Sequence, residues 1–254
     1  SNFTISNTLI DSNSNNDKSN CGTVHLNNDI NVSISNSKFK SNTVKSNGGA
    51  ICFDKIINLN LNLTENVFSG NIAHNGGALY FKGNTYDENT LYEDKTISII
   101  HNVFDGNDAD NFGGAIYSEY DKLYSKEIKG NIFRLNYADI MGDDVYTPNS
   151  VNKTLFDMSL NTIKKFTTKP AYIILDPSYK SYVNSIYTGD IYQLKFLMYD
   201  EFNQLYMDDT KYYSSLTIKV TLERKNEYEE INDADYKLAE NVCSFSKGKK
   251  KKKS

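Results

Sequence analysis

The acidic residues are the ones whose spacing best suggests chemistry. Asp110 and Asp139 each come six residues after a phenylalanine, and two further aspartates, Asp143 and Asp144, come soon after the second. Carboxylates that gather in one place bind calcium or attract a basic partner, because like charges at short range need a counter-charge. Two interpretations follow: a calcium site or acidic docking patch, and a solvated corner, which we favour.

Three tyrosines form the second set with chemical potential. They share a position with a histidine and a cysteine, directly after a short phrase that ends in an aliphatic residue: His25, Cys52, Tyr80, Tyr117 and Tyr146. Tyrosines on an exposed strip grip sugars or a partner peptide, whereas tyrosines inside a fold are packing residues. We favour packing, with the exposed strip as the alternative.

A repeat sets the positions of all these residues. An apolar anchor, usually phenylalanine, is followed three residues later by asparagine, at anchor positions 10, 39, 68, 104 and 133. The anchors are therefore 29, 29, 36 and 29 residues apart, and the longer step contains a polar stretch, 82–95, that we interpret as a loop. A period of this size indicates a solenoid.

A glycine-rich phrase completes each repeat. It reads Gly-Gly-Ala-Ile at 48–51, Gly-Gly-Ala-Leu at 76–79 and Gly-Gly-Ala-Ile at 113–116. A partial copy, Cys-Gly-Thr-Val, precedes these at 21–24, and a degenerate one, Gly-Asp-Asp-Val, follows at 142–145. The segments between the phrases alternate apolar and polar residues, which predicts strands and not helices. The sequence therefore predicts an all-β parallel β-helix of about five coils over residues 1–147.

In such a fold, equivalent residues of successive coils lie above one another at the strand spacing of ~4.8 Å. A stacked amide can donate to one neighbour and accept from the other, so an asparagine is satisfied inside the coil. We predict two structural ladders. The aromatic ladder contains Phe39, Phe68, Phe104 and Phe133, with Ile10 in the same column. The amide ladder contains Asn13, Asn42, Asn71, Asn107 and Asn136.

The two motifs, Phe-x-x-Asn and Gly-Gly-Ala-aliphatic, resemble the repeats of the chlamydial polymorphic outer membrane proteins over about residues 1–147. The resemblance implies a right-handed parallel β-helix, a surface location and a non-catalytic role in adhesion. Similar repeats occur in large extracellular proteins of anaerobic gut fungi. That likeness implies a cohesin-like unit of a scaffoldin, which would receive dockerin-bearing enzymes of a cellulosome.

The remainder of the chain lacks the repeat. Residues 148–170 hold two of the three prolines and are predicted as a junction, and alternating segments follow at 191–199 and 216–222. Strands at regular spacing with polar turns predict a small β-sandwich over 171–246, which loosely resembles bacterial Ig-like modules. A basic tail occupies 247–254.

Composition excludes several classes of function. The net charge of −4 gives no electrostatic basis for binding nucleic acid. No apolar run is long enough to insert this fragment into a membrane. Cys21 aligns with Gly48, which is four residues before Cys52. Four residues of extended strand put the two sulfurs ~13 Å apart, beyond disulfide reach, so we predict that both cysteines are free packing residues.

Catalysis is also not indicated. The coils contain one arginine, Arg134, and their three histidines, His25, His74 and His101, do not recur with ligand spacing. We therefore predict a non-enzymatic, extracellular or cell-surface protein-binding module that needs no cofactor, with calcium as the open question. The alternatives are a module that binds or cleaves carbohydrate, and a structural spacer.

Overall fold

The computed structural model describes residues 1–27, 30–55, 59–83, 97–120, 127–148, 166–178, 190–191, 193–206, 208, 211–221 and 242–244. Strands are the only regular elements in these ranges, and no helix occurs there. The basic tail 247–254, most of the polar stretch 82–95 and most of 222–246 lie outside the described residues.

Five coils of four short strands make up the first part of the chain. The strands of coil 1 are β1 (Asn2–Ser6), β2 (Leu9–Asp11), β3 (Ser14–Asn15) and β4 (Val24–Asn27). Those of coil 2 are β5 (Ile30–Ser35), β6 (Lys38–Lys40), β7 (Thr43–Val44) and β8 (Ile51–Asp54). Those of coil 3 are β9 (Leu59–Thr64), β10 (Val67–Ser69), β11 (Ile72–Asn75) and β12 (Leu79–Phe81). Those of coil 4 are β13 (Ile97–Ile100), β14 (Val103–Asp105), β15 (Asp108–Phe112) and β16 (Ile116–Ser118). Those of coil 5 are β17 (Glu127–Lys129), β18 (Ile132–Arg134), β19 (Tyr137–Ala138) and β20 (Val145–Thr147).

Equivalent strands of successive coils pair in parallel and form four sheets. Sheet A has the order β1-β5-β9-β13-β17, sheet B runs β2-β6-β10-β14-β18 and sheet C runs β3-β7-β11-β15-β19. Sheet D runs β4-β8-β12-β16-β20 and gains a further parallel strand, β21 (Phe166–Thr168), from within the predicted junction. The predicted parallel β-helix is confirmed.

Side chains in register fill the interior of the coils. Phe39, Phe68, Phe104 and Phe133 are direct partners across sheet B, and Ile10 pairs with Phe39. Their rings stack with centroids 5.0, 5.0 and 4.8 Å apart. On the opposite wall, the rings of Phe53 and Phe81 stack at 4.5 Å. Stacking of fully buried aromatic rings removes large apolar surfaces from water and fixes the coil spacing.

A turn after β23 (Phe196–Asp200) packs against the last coil. The Asp200 carboxylate accepts hydrogen bonds from the backbone N–H groups of Phe202 and Gln204 at 2.9 Å, and of Thr168 at 3.4 Å. This network holds the Phe202 side chain against the hydrophobic core of the coils. The chain thus folds back to cover part of the core after the repeat has ended.

The predicted Ig-like β-sandwich over 171–246 is not confirmed. The described residues of that region form two separate antiparallel pairs, β22 (Pro170–Leu175) with β23, and β24 (Thr217–Lys219) with β25 (Val242–Ser244). The first pair belongs to a compact unit of residues 1–206 and the second to a unit of residues 207–254.

The prediction of free cysteines at 21 and 52 is wrong, because Cys21 and Cys52 form a disulfide with Cα atoms 5.6 Å apart. The prediction assumed an extended strand before β4. Instead Gly22 has a φ of +72°, so the chain changes direction there and Cys21 lies against Cys52. Gly22, and not Cys21, is the counterpart of Gly48, because the two glycines make equivalent hydrogen bonds to the next coil. The N–H of Gly22 donates to the carbonyl oxygen of Asn47, and the N–H of Gly48 donates to that of Asn75.

Candidate functional site

The predicted amide ladder lies at the corner between sheets B and C. The Nδ2 of each asparagine donates to the Oδ1 of the next, at 2.8 Å from Asn13 to Asn42 and 2.9 Å for each later step to Asn71, Asn107 and Asn136. Each Oδ1 also accepts the backbone N–H of the preceding asparagine. The four asparagines of coils 2 to 5 are buried at this corner and are not available to a ligand, whereas Asn13 of coil 1 is exposed.

A second amide ladder, which the sequence analysis did not identify, lies at the corner between sheets A and B. Asn66 donates to Asn102 at 3.0 Å, Asn102 donates to Asn131 at 3.1 Å, and Ser37 takes the equivalent place in coil 2. Each of these residues comes two positions before the anchor phenylalanine. The signal was therefore present in the sequence, on the other side of the anchor.

The tyrosine column on the outward side of sheet D is packed and does not form an accessible strip. Tyr80 is 7% exposed and Tyr146 is 2% exposed, and their rings stack on Tyr117 at 5.1 and 5.4 Å. The turn before each glycine-rich phrase lies over this column. A Cβ at Gly48 would come within 3.1 Å of the Tyr80 Cβ, and the Phe112 ring stacks on Tyr146 at 4.4 Å.

The same burial controls the protonation of these phenols. Burial raises the pKa of Tyr80 and Tyr117 above its usual value, and the nearby carboxylate of Glu119 adds to the effect. The Tyr117 hydroxyl donates to Glu119 Oε1 at 2.9 Å. The phenols remain neutral donors, which suits packing and not nucleophilic chemistry.

The four aspartates point in different directions. Asp110 and Asp139 are exposed on the outward side of sheet C, while Asp144 is completely buried and accepts the Asn136 Nδ2 at 2.8 Å. Asp144 occupies the position of Ala115 in the previous coil, which directs its side chain inward. It thus ends the amide ladder where no further asparagine follows. Asp143 is half-buried, and one of its oxygens accepts the Ala138 N–H at 3.3 Å.

The outward side of sheet C, which we call the sheet C face, carries an exposed mixture of apolar and charged side chains. One column runs through Thr43, Ile72, Asp108 and Tyr137, with Ile72 42% exposed and Tyr137 38% exposed. The inward positions of the same strands hold small residues that pack inside the coil: Val44, Ala73, Ala109 and Ala138. Strand alternation therefore keeps the larger side chains on the outside.

A neighbouring column of the sheet C face is charged. His74 Nδ1 lies 3.6 Å from an Asp110 oxygen, and the Asn111 amide contacts His74 Nε2 at 2.9 Å. Asp139 follows in the next coil, since its N–H donates to Ala109. Burial raises the pKa of Tyr137, helped by the charge of Asp139 and by a hydrogen bond to it. The face thus presents one aliphatic side chain, Ile72, and one aromatic side chain, Tyr137, among acidic residues.

A shallow concavity lies on the outward side of sheet A. Neutral polar side chains line much of it: Asn2, Thr4, Asn31, Ser33, Asn60 and Asn62. Asn31 Nδ2 donates to Asn2 Oδ1 at 2.8 Å, so this surface also has a pair of stacked asparagines, here exposed. Its amides and hydroxyls offer both donors and acceptors to a ligand.

The family model of the Chlamydia polymorphic membrane protein repeat matches the chain at residues 36–54, 67–82 and 103–119. Each matched segment contains one Phe-x-x-Asn and one Gly-Gly-Ala-aliphatic phrase, so coils 2, 3 and 4 are repeats of this type. Comparison with curated proteins gave no match, and neither did comparison with solved structures. The described residues include no helix that could cross a membrane.

Proposed function

We propose that this chain is a non-catalytic protein-binding module of an extracellular or cell-surface protein, and that the sheet C face holds the partner. The observation that carries the proposal is the exposure of Ile72 and Tyr137, one on each side of Asp108 in the same column of the sheet. Asp110 and Asp139 lie in the neighbouring column. Aromatic anchors with a polar rim are typical of protein interfaces.

Two further observations support the location. The matched repeat is that of a chlamydial membrane protein, which favours an adhesin-like role at a cell surface. The Cys21–Cys52 disulfide supports an oxidising compartment, because cytosolic thiols are kept reduced.

The charge of the face specifies the chemistry of the partner. Three aspartates are opposed on this face by one neighbouring histidine and Lys45, so the local surface favours a partner with lysine or arginine around an apolar side chain. Five coils at ~4.8 Å give a face ~24 Å tall. An interface of about 800 Å² per partner would also include the exposed Leu135 in the turn that precedes Tyr137. A cohesin-like role, with a dockerin as partner, is a narrower form of this proposal.

The sheet A concavity supports a second candidate, the binding of a neutral saccharide. Its Asn and Ser side chains match the hydroxyl groups of a sugar, and the one aromatic residue that lines it, Phe3, packs against the core of the coils. The two candidates use different faces of the same coils, so paired variants distinguish them.

The test is capture of surface and secreted proteins of the source organism on the immobilised chain, in parallel with binding to soluble polysaccharides. The variant I72S/Y137S alters the sheet C face, and N31A/N62A alters the sheet A concavity as a matched control. We expect a protein partner that is retained by the N31A/N62A chain and lost, by at least tenfold in affinity, with I72S/Y137S.

Other outcomes contradict the proposal. A protein partner that binds I72S/Y137S as tightly as the parent chain places the interface elsewhere. Polysaccharide binding that N31A/N62A abolishes supports the saccharide candidate, and binding to neither class supports a structural spacer. Circular dichroism of both variants checks that the β-sheet signal is retained.

A further inference from the structure

Three side chains with metal-binding atoms meet where coil 1 contacts coil 2. The sulfurs of Cys21 and Cys52 and a ring nitrogen of His25 all lie within 4.8 Å of one another. His25 and Cys52 are direct partners in sheet D, and Asp54 lies on the same side of its strand as Cys52. The Nε2 of His25 is 3.7 Å from Asp54 Oδ2, and Lys82 Nζ is 3.3 Å from Asp54 Oδ1.

The backbone of the repeat brings these groups together. The residue before the turn glycine lies over the outward residue of sheet D in the next coil, as Phe112 lies over Tyr146. In coil 1 the residue before the turn glycine is Cys21, and the residue under it is Cys52. The same two positions therefore hold stacked aromatic rings between coils 4 and 5 and two sulfurs between coils 1 and 2. The imidazole of His25 lies beside the sulfurs.

We propose that this cluster is a redox-gated site for a thiophilic divalent cation such as zinc. In the oxidised state the disulfide joins the two coils, and its sulfurs are not thiolate ligands. In the reduced state Cys21, Cys52 and His25 supply two thiolates and one imidazole, a ligand set that suits zinc. The two forms exclude one another, and either one ties coil 1 to coil 2.

The chemistry balances with a dithiol or a phosphine as the reductant. A dithiol gives up two electrons and two protons and becomes a disulfide, whereas a phosphine gives up two electrons and becomes a phosphine oxide with the oxygen of a water molecule, which supplies both protons. The sulfur–sulfur bond breaks, and each sulfur takes up one proton. Binding of the cation then displaces both protons and forms two metal–sulfur bonds. With zinc–sulfur distances of about 2.3 Å in a tetrahedron, the sulfurs lie about 3.8 Å apart. Side-chain rotation supplies this separation while the Cα atoms stay 5.6 Å apart.

Asp54 has a separate role in the proposed site. A carboxylate beside a ligating imidazole orients the ring and raises its basicity. One oxygen of Asp54, Oδ2, faces the Nε2 of His25, and the other, Oδ1, forms an ion pair with Lys82. We therefore assign Asp54 as a positioning residue. Because His25 is partly exposed, solvent can reach the cation and occupy its fourth coordination position.

The experiment uses the full chain with C243S as the parent, so that Cys21 and Cys52 are its only thiols. After reduction by a water-soluble phosphine under anaerobic conditions, zinc affinity is measured by competition with a chromophoric chelator. Cobalt then serves as a spectroscopic probe of thiolate ligation. We expect one zinc per reduced chain, thiolate-to-cobalt absorption, and no comparable binding by the oxidised chain.

Variants locate the site. Removal of a ligand by His25→Ala weakens zinc binding at least tenfold, and Asp54→Asn weakens it about tenfold. His101→Ala is the matched control, because His101 is exposed and lies outside the cluster, and it leaves the affinity unchanged. Equal zinc binding by the oxidised chain, or by the His25→Ala variant, overturns the proposal. So does a reduced chain whose β-sheet signal is lost and is not restored by zinc.

Discussion

The amide ladder at the corner between sheets B and C and the sheet C face are neighbours in every coil, yet they differ in how strictly they repeat. Inside, Asn42, Asn71 and Asn107 occupy one position with the same hydrogen bonds in every coil. Outside, the equivalent positions change at each step, as in the series Ile72, Asp108 and, in coil 5, Tyr137.

This difference reflects two physical demands. A buried amide needs a hydrogen-bond partner in each of the two adjacent coils, so a substitution in one coil leaves unpaired groups in both neighbours. An outward side chain meets water or a ligand, and an exchange there has little effect on its neighbours. Stability is therefore concentrated in the repeated interior, and specificity can vary on the exterior.

The largest effect is expected from Gly77→Ala, which tests the close approach of the coils. A Cβ at Gly77 would lie 2.2 Å from the carbonyl oxygen of Gly114 and 2.6 Å from that of Asp108. These are backbone atoms of coil 4, so the stack must open to accept the methyl group. We expect a loss of more than about 4 kcal/mol in the free energy of unfolding, measured by urea denaturation.

Gly106→Ala is the matched control for that variant. Its new Cβ would meet no atom within 4 Å, although its φ of +64° strains an alanine. The expected cost is about 1–2 kcal/mol. An equal loss of stability in the two variants would contradict this explanation. Close packing of the coils would then not be the reason that glycine recurs in the glycine-rich phrases of this chain.

The next effect is expected from Asn71→Ala in the interior ladder. Asn71 accepts the backbone N–H and the Nδ2 of Asn42, and it donates to Phe39 O and to Asn107 Oδ1. Its removal leaves several buried groups without a partner, at about 1–3 kcal/mol each. We expect a loss of about 4 kcal/mol in the free energy of unfolding.

The exposed asparagine pair on sheet A provides the comparison for Asn71. Asn31→Ala removes one hydrogen bond to Asn2 on a surface that water reaches. A change of less than about 0.5 kcal/mol is expected in the same urea experiment. A loss of several kcal/mol from Asn31→Ala would mean that exposed and buried asparagines stabilise the coils equally, and that burial does not set their contribution.

The interior could be predicted because registry converts a sequence period into spatial columns. Phe39 and Phe68 are separated by the same interval as Asn42 and Asn71, and a parallel stack places both pairs in contact. The ladder through Asn66 and Asn102 obeys the same rule. Its signal is weaker, because coil 2 has Ser37 at the position where later coils have asparagine.

Other features depend on local geometry that a period does not contain. The disulfide depends on a one-residue shift in coil 1, where Gly22 is the counterpart of Gly48 and Cys21 therefore precedes the turn glycine and lies against Cys52. The inward direction of Asp144 follows from its alignment with an alanine, so a count of nearby aspartates was misleading. After coil 5 no repeat fixes the register, and strand-like segments alone did not determine how β22 to β25 pair.

The smallest effect is expected on the sheet C face, where Asp139→Asn removes one charge beside Tyr137. Burial raises the pKa of Tyr137, and Asp139 adds to it through its charge and a hydrogen bond. Without that charge the phenolate is less disfavoured, so the pKa of Tyr137 moves down toward its usual value of about 10. NMR titration of the tyrosine ring carbons measures the shift.

The sign of the accompanying change in stability follows from linkage. A raised pKa in the folded state contributes stability that is present below the usual tyrosine pKa and is lost as the pH rises through the folded value. Asp139→Asn therefore leaves the unfolding free energy at neutral pH within about 0.5 kcal/mol and weakens its fall under alkaline conditions.

Asp110→Asn is the control, because Asp110 lies in the same column as Asp139 but is not among the groups that shift the pKa of Tyr137. An equal shift in both variants would show that the overall negative field of the face, and not the contact with Asp139, governs Tyr137. The exterior would then act as a continuous acidic surface toward a partner, in place of separate side-chain contacts.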